Sequence, residues 1–297
     1  MNSNANLRKI RKTVGPTGDS IKLNLMRALV YVFLVLIAVF CLFPFVILII
    51  NSTRLHSELL SKFYLVPGSH FFQNLKNVLT DTNIPLLNGL RNSVFIAALT
   101  AILTTYFSAM TAFGVFMYDF KLRNFAFSFI MFILMVPTQV SALGFLRLVD
   151  KMHMMNTYWP LILPSIAAPS VFFYMKQYMD SVVPKEMVEA ARVDGSNEFM
   201  TFNRIVLPVI KPALAVQGIF SFVSSWNNYF IPVLVINSKN KKTIPILIAE
   251  LRSADYMKFD LAKIYIMIFV AIIPLIVVYL FLSRFILENL TLGSVKG

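Results

Sequence analysis

Six stretches free of Asp, Glu, Lys and Arg divide this chain, at about residues 28–50, 94–117, 125–146, 158–175, 213–236 and 264–282. Each is close to the ~20 residues that an α-helix needs to cross a bilayer. Inside hydrocarbon a segment must satisfy its own backbone hydrogen bonds, which a helix does and an isolated strand does not. The stretches therefore predict an all-α polytopic membrane helix bundle with six transmembrane helices. Composition agrees: 58% of residues are hydrophobic, 14% are charged, and the mean hydropathy is +0.72. A soluble domain is about half apolar and a quarter charged. A disulfide scaffold is excluded, because the single cysteine, Cys41, lies in the first apolar stretch and has no internal partner. That first stretch is too long for a signal-peptide core and precedes no small-residue cleavage site, so it reads as a retained anchor.

A net charge of +13 can point to nucleic acid. Here the basic residues sit between the apolar stretches, as flanks at a membrane surface do. Six spans place both termini on one side. Residues before the first span include Arg8, Lys9, Arg11, Lys12, Lys22 and Arg27 against Asp19 alone. The positive-inside rule then makes residues 1–27 a cytoplasmic segment and puts both termini in the cytoplasm. On that topology 15 of the 27 Lys and Arg lie inside, so the bias along the rest of the chain is weak. No internal repeat and no second soluble domain is visible.

Ionisable groups within the membrane are the usual carriers of proton and ion coupling. Their absence from all six spans argues against a proton-driven carrier, a voltage sensor and an intramembrane hydrolase. His56, His70 and His153 sit in separate loops, without metal-ligand spacing to each other or to Cys41. A phosphate-cradling loop needs glycines followed by a lysine, and none of the ten glycines here is followed by Lys. The chain is not expected to be an enzyme or to hold a cofactor. If ATP drives it, another subunit hydrolyses the ATP.

The middle spans do carry uncharged polar residues: Thr100, Thr104, Thr105, Ser108 and Thr111, then Thr138, Gln139 and Ser141, then Gln217, Ser221, Ser224, Ser225, Asn227 and Asn228. Such groups act as hydrogen-bonding glue between helices, or they line a path for a neutral polar solute. On the second reading Trp226 and Tyr229 would stack on the apolar face of a sugar ring. Prolines at 44, 137, 160, 164, 169, 232 and 274 each remove a backbone donor and can kink a helix.

Residues 184–212 form a polar, amphipathic segment between the fourth and fifth spans. Pro184 can open a helix, with Glu186 and Glu189 in its first turns. Gly195 suits the left-handed position after a helix end, and Ser196 is a fair N-cap for a second helix. Phe199, Phe202 and Val206 fall at helical spacing and predict one apolar stripe, with Pro208 and Pro212 ending the helix. Two short helices meeting at a glycine corner, with an apolar stripe, suit either a protein partner or a lipid surface.

At these residues the chain resembles a known family. Glu189-Ala190-Ala191, Asp194-Gly195 and Ile205-Val206-Leu207-Pro208 are similar to the EAA loop of permeases in binding-protein-dependent ABC importers. Trp226-Asn227-Asn228-Tyr229-Phe230-Ile231-Pro232 resembles a stretch of the carbohydrate-importing branch, where an acidic residue is common in place of Asn228. Thr243-Ile244-Pro245 resembles the start of that branch's last outside loop, and the ending Gly293-Ser294-Val295-Lys296-Gly297 resembles its C-terminus. The whole is similar to the maltose-type second permease, with the type I importer permease fold over residues 28–297.

The resemblance implies a machine. The loop at 184–212 would be a coupling helix seated in a groove of an ATPase subunit. Glu189, Ala190, Ala191, Asp194, Gly195, Phe199, Leu207 and Pro208 would form that contact, with Glu189 paired to a basic ATPase residue. Lys296 and Gly297 would reach the ATPase dimer interface. Gln139, Gln217, Ser221, Trp226, Asn227, Asn228 and Tyr229 would belong to the translocation path. Partners would be a second permease, two ATPases holding ATP and Mg, and an extracellular solute-binding protein. The setting would be a prokaryotic cytoplasmic membrane. The cargo would be a sugar or oligosaccharide carried by alternating access. The alternatives are a polyol, glycerol phosphate or other small polar solute on the same architecture, and a self-contained channel or secondary carrier.

Overall fold

The computed structural model describes residues 18–253 and 259–293. Helix α1 (Gly18–Ser52) is exposed along most of its length, and only its last turn is buried, at Leu48, Ile50, Asn51 and Ser52. Short helices α2 (His56–Ser61) and α3 (Phe71–Leu79) follow. Helix α4 (Leu86–Met117) is the central rod. It is ringed by buried small and polar residues, including Ala97, Ala101, Thr104, Thr105, Ser108, Ala109 and Ala112. Small side chains let neighbouring backbones approach closely, which is how helices associate when lipid removes the hydrophobic drive. Thr104 Oγ1 donates to the Ser165 carbonyl at 3.0 Å, and Thr105 Oγ1 donates to its own helix at Ala101.

The polypeptide beyond α4 is broken more often than six simple spans require. Helices α5 (Arg123–Ile133) and α6 (Thr138–Lys151) meet at 98° across Pro137. The fourth apolar stretch becomes α7 (Trp159–Ile162), a 3₁₀ turn (Leu163–Ile166) and α8 (Pro169–Val182). Pro160, Pro164 and Pro169 lack backbone donors. Ala168 is pushed out of the helical region by the proline after it, with φ −110° and ψ 92°. Beyond the polar segment, α9 (Lys185–Val193) leads to α10 (Glu198–Thr201), a π-turn (Phe202–Val206) and α11 (Leu207–Val209). Next, α12 (Lys211–Trp226) is separated from α13 (Phe230–Val235), which contains Pro232. Finally come α14 (Ile244–Arg252) and α15 (Leu261–Gly293).

By length and composition, three described helices can cross a membrane: Lys22–Ser52, Leu86–Met117 and Leu261–Ser283. The number rises to five if each of two bent pairs is one span. Six spans are the expectation of the hydropathy pattern; in the structure the apolar stretches at 125–146 and 158–175 are each interrupted next to prolines.

The main core lies towards one end of the bundle, where α4, α8, the π-turn and the start of α12 meet around Phe113, Phe116, Phe172, Met175, Met179, Phe202 and Val206. At the other end α14 lies against α4 and α15 through Ile244, Leu247, Ile266 and Met267. Gly89 of α4 makes that approach possible. A Cβ there would stand 2.6 Å from Leu247 Cδ1 and 3.1 Å from Ile244 Cδ1.

The turn preceding α14 is tied down by polar contacts. Asn92 Nδ2 donates to the carbonyls of Asn240 and Lys242 at 2.9 and 3.0 Å. Ser93 Oγ accepts from the Ile244 amide at 2.9 Å. Asn156, held at φ +57°, accepts from the amides of Asn237 and Ser238 through Oδ1.

Candidate functional site

Two places collect the candidate residues. The first is the corner between α9 and α10. Val188 and Ala191 of α9 are buried against the bundle, whereas Glu189 and Ala190 on its other face are exposed. The helix ends in a paired-carbonyl cap: the Gly195 amide donates to Arg192 O at 3.0 Å and the Ser196 amide to Ala191 O at 2.9 Å. This cap needs a left-handed residue, and Gly195 has φ +82°. The N-cap of α10 is Asn197, whose Oδ1 accepts from the Met200 amide at 2.8 Å. It is not Ser196, as the spacing suggested; the Ser196 hydroxyl instead accepts from Thr201 Oγ1 at 2.9 Å.

Three residues not singled out as site members brace the corner. Arg192 Nε donates to Glu198 Oε1 at 2.7 Å across the turn, and the guanidinium lies 5.4 Å from the Tyr118 ring centroid. The Arg192 hydrogen bond holds the Glu198 carboxyl below the usual carboxylate range. Burial pushes the Tyr118 hydroxyl up, and the nearby Glu198 charge adds to this. A basic and an acidic residue six positions apart gave no sequence signal, because that spacing is not a helical neighbour relation. Only the left-handed turn at Gly195 brings them together.

The predicted apolar stripe divides. Phe202 and Val206 are fully buried, whereas Phe199 is 66% exposed and Val193 87% exposed. Phe202 and Val206, four residues apart within the π-turn, share the face that packs on the core. Phe199 lies one turn earlier, outside that contact. Leu207 is half-buried and Pro208 exposed. The corner therefore presents Glu189, Ala190, Val193, Asp194, Gly195 and Phe199 outward. Among the described residues Glu189 makes no ion pair. Exposed apolar side chains grouped at one corner, Val193 and Phe199, mark an interaction site. Lys296 and Gly297 lie outside the described residues.

The second place is a groove of about 440 Å³ between the end of α12, α14 and α15. Trp226, Asn227 and Tyr229 line it, with Ile244, Pro245, Ile248, Ala249 and Arg252 from the α14 side. Gln139, Gln217, Ser221 and Asn228 do not line it. Gln139 is exposed at the bend between α5 and α6, Gln217 and Ser221 lie further back on α12, and Asn228 is exposed on the break after it. Trp226 is 2% exposed, and its ring stacks on Phe222 at 5.8 Å and 17°. One face of the indole is thus occupied by the protein itself. Tyr229, 43% exposed, is the open aromatic surface. Arg252 was not foreseen, because its sequence neighbourhood is an ordinary polar loop. No group of three or more His, Cys, Asp and Glu that could hold a metal ion occurs among the described residues.

Residues 101–290 match the family model of the binding-protein-dependent transport system inner membrane component. This chain belongs to that family. The inner membrane component is a permease, a transporter and not an enzyme, and this chain is the permease subunit of a binding-protein-dependent ABC importer. It is a multi-pass protein of the cytoplasmic membrane, and its family works with a second permease, an ATPase and a binding protein.

The arabinooligosaccharides transport system permease protein AraQ of Bacillus subtilis is 33% identical over 284 residues, covering 92% of this chain and 97% of the relative. The trehalose/maltose transport system permease protein MalG of Thermococcus litoralis is 29% identical over 276 residues, covering 92% and 98%. A solved bacterial ABC transporter involved in the import of the acidic polysaccharide alginate has a chain of the same fold. Its TM-score is 0.76 at 17% identity, over 92% of this permease and 99% of that chain.

Proposed function

We propose that this permease carries a sugar or oligosaccharide across the cytoplasmic membrane by alternating access, driven by ATP and Mg held on partner ATPase subunits. Relatives named for arabinooligosaccharides, lactose and trehalose/maltose transport support the cargo class. The groove beside Tyr229 and Asn227 offers an aromatic face and an amide, the groups that neutral polyhydroxylated solutes use. In this reading all six spans cross the bilayer, with α4, α12 and α15 giving the frame. Both termini are cytoplasmic.

The observation that carries the mechanism is the corner at Gly195. It is braced from behind by Arg192, Glu198 and Tyr118, and it presents Glu189 and Phe199 outward. A rigid, exposed corner is what an ATPase groove can grip. ATP closing the ATPase dimer shifts the permease only as far as ATP binds one conformation better than the other. Glu189, Ala190, Asp194, Gly195, Phe199, Leu207 and Pro208 are proposed as the gripped surface, whereas Ala191, buried against the bundle, anchors the helix from behind and is not itself gripped. Lys296 and Gly297 are proposed to reach the ATPase dimer interface. The other partners are one second permease and a solute-binding protein on the outer face.

Cells lacking this chain, with and without its restoration, test the cargo through uptake of labelled arabino-oligosaccharide, maltose and glycerol 3-phosphate. Restored uptake of a saccharide supports the reading. Restored uptake of glycerol 3-phosphate alone overturns the cargo class. Saccharide uptake that persists after removal of the ATPase overturns the coupling.

A further inference from the structure

Two routes lead from the coupling corner into the membrane. One follows the chain from α10 and α11 into α12. That route is bent by 83° at Ile210, between Glu198–Val209 and Lys211–Trp226. The other is lateral, through side chains into α4. Phe202, 1% exposed, sits with its ring centroid 5.5 Å from Phe113 and 5.8 Å from Tyr106. Tyr106 and Phe113 are seven residues apart, which is two turns on one face of α4. The next residue is also engaged, since the Tyr106 hydroxyl donates to Asn203 Oδ1 at 3.2 Å. Both contacts fall within the π-turn Phe202–Val206, and π-turns inside helices occur frequently at functional positions.

Helix α4 is unbroken from Leu86 to Met117 and holds no proline. Its far end carries Asn92 and Ser93, which clasp the carbonyls of Asn240 and Lys242 and the amide of Ile244. Those residues lead into α14, one wall of the groove. A displacement applied at Phe202 thus has a continuous rod to the groove's outer loop, whereas α12 must first absorb the bend.

We infer that Phe202 and Asn203 are the residues through which the coupling corner drives α4, and that α4 carries the motion to the loop at residues 239–243. They act through α4 and touch no cargo, so they are positioning residues. The inference rests on the ATP-driven importer reading and names the internal route that this reading leaves open.

The test uses the assembled complex with an ATPase variant that binds ATP without hydrolysing it. The permease carries Cys41→Ser and a single reporter, Asn240→Cys, at an exposed position. The readout is the rate at which the reporter thiol is alkylated, with and without ATP and Mg. In the otherwise unaltered permease ATP is expected to change this rate. Phe202→Ala is expected to reduce the ATP-dependent change at least about fivefold, the lower end of ordinary coupling. ATPase co-purification should stay as it was. Phe202→Leu should restore most of the change. Met175→Ala, which removes apolar bulk from the same core on α8, controls for simple loosening and should keep the change.

Asn203→Ala leaves the core intact and should also reduce the response; it decides the matter if Phe202→Ala fails to assemble. A full response in Asn203→Ala, together with a full response in Phe202→Ala if that variant assembles, overturns the inference. So does an equal loss in Met175→Ala, or a reporter that ignores ATP in the unaltered complex. If no ATPase accompanies the unaltered permease, the importer reading itself falls, which is a distinct result.

Discussion

The sharpest prediction concerns Gly195. Its φ of +82° is a conformation that residues with a Cβ adopt at a cost of roughly 1–2 kcal/mol. A Cβ placed there would meet nothing within 4 Å, so Gly195→Ala suffers the backbone cost alone. If the ATPase grips the corner as it stands, the free energy needed to hold alanine in that shape is taken from the association. The affinity should fall about 5- to 30-fold. Gly195→Asn should fall less, because asparagine tolerates the left-handed region better than alanine. Gly195→Pro is different in kind. Proline is locked near φ −65° and cannot donate to Arg192 O, so the paired-carbonyl cap is lost. Binding should then drop below detection while the membrane fold persists. The assay is titration of purified ATPase onto each permease in lipid nanodiscs, with thermal unfolding in parallel. An order of Asn, Ala, Pro from mildest to worst is expected. Gly195→Pro binding like the unaltered permease, or Asn binding worse than Ala, would refute the reasoning.

Three further predictions follow from named contacts. Glu198 has a folded-state pKa lowered from 4.5, so its bracing of the corner is present above that value and is lost as pH falls through the lowered one. ATPase binding by Glu198→Gln should therefore be weaker than that of the unaltered permease at neutral pH, and the difference should vanish on acidification; a gap that persists at low pH argues against the ion pair as the brace. Asn92→Ala leaves two loop carbonyls without their donor, a loss of roughly 1–3 kcal/mol. Amide hydrogen exchange of residues 239–243 should accelerate, with little change around Gly195. Trp226→Ala removes a buried ring and should cost about 3–5 kcal/mol of stability, read as a large fall in thermal midpoint. Tyr229→Ala, at an exposed ring, should leave the midpoint nearly unchanged and raise the KM for saccharide uptake. Equal midpoints for the two variants would contradict the packing of Trp226 on Phe222.

Much of this permease follows from local sequence. Charge-free stretches of bilayer length specify helices because lipid offers no alternative partner for backbone groups. Gly195 could be read as a turn because few other residues accept its conformation, and Pro184 as a helix start because its missing donor is not needed there. The family was legible in Glu189-Ala190-Ala191, Gly195 and Leu207-Pro208 without any coordinates. What the pattern could not supply was the relation between segments. Phe199, Phe202 and Val206 look alike on a helical wheel, yet one faces outward and two are buried, because only Phe202 and Val206 reach the core around Phe113, and Tyr106 and Phe113 of a distant helix receive the Phe202 ring. Arg192 and Glu198 meet only because a left-handed residue folds the chain between them. Trp226 reads as an aromatic surface in sequence, but Phe222 on the same helix covers its face. Asn92 grips a loop about 150 residues away. In each case local chemistry names the groups that can interact, and the close packing of helices from distant parts of the chain selects which of them do.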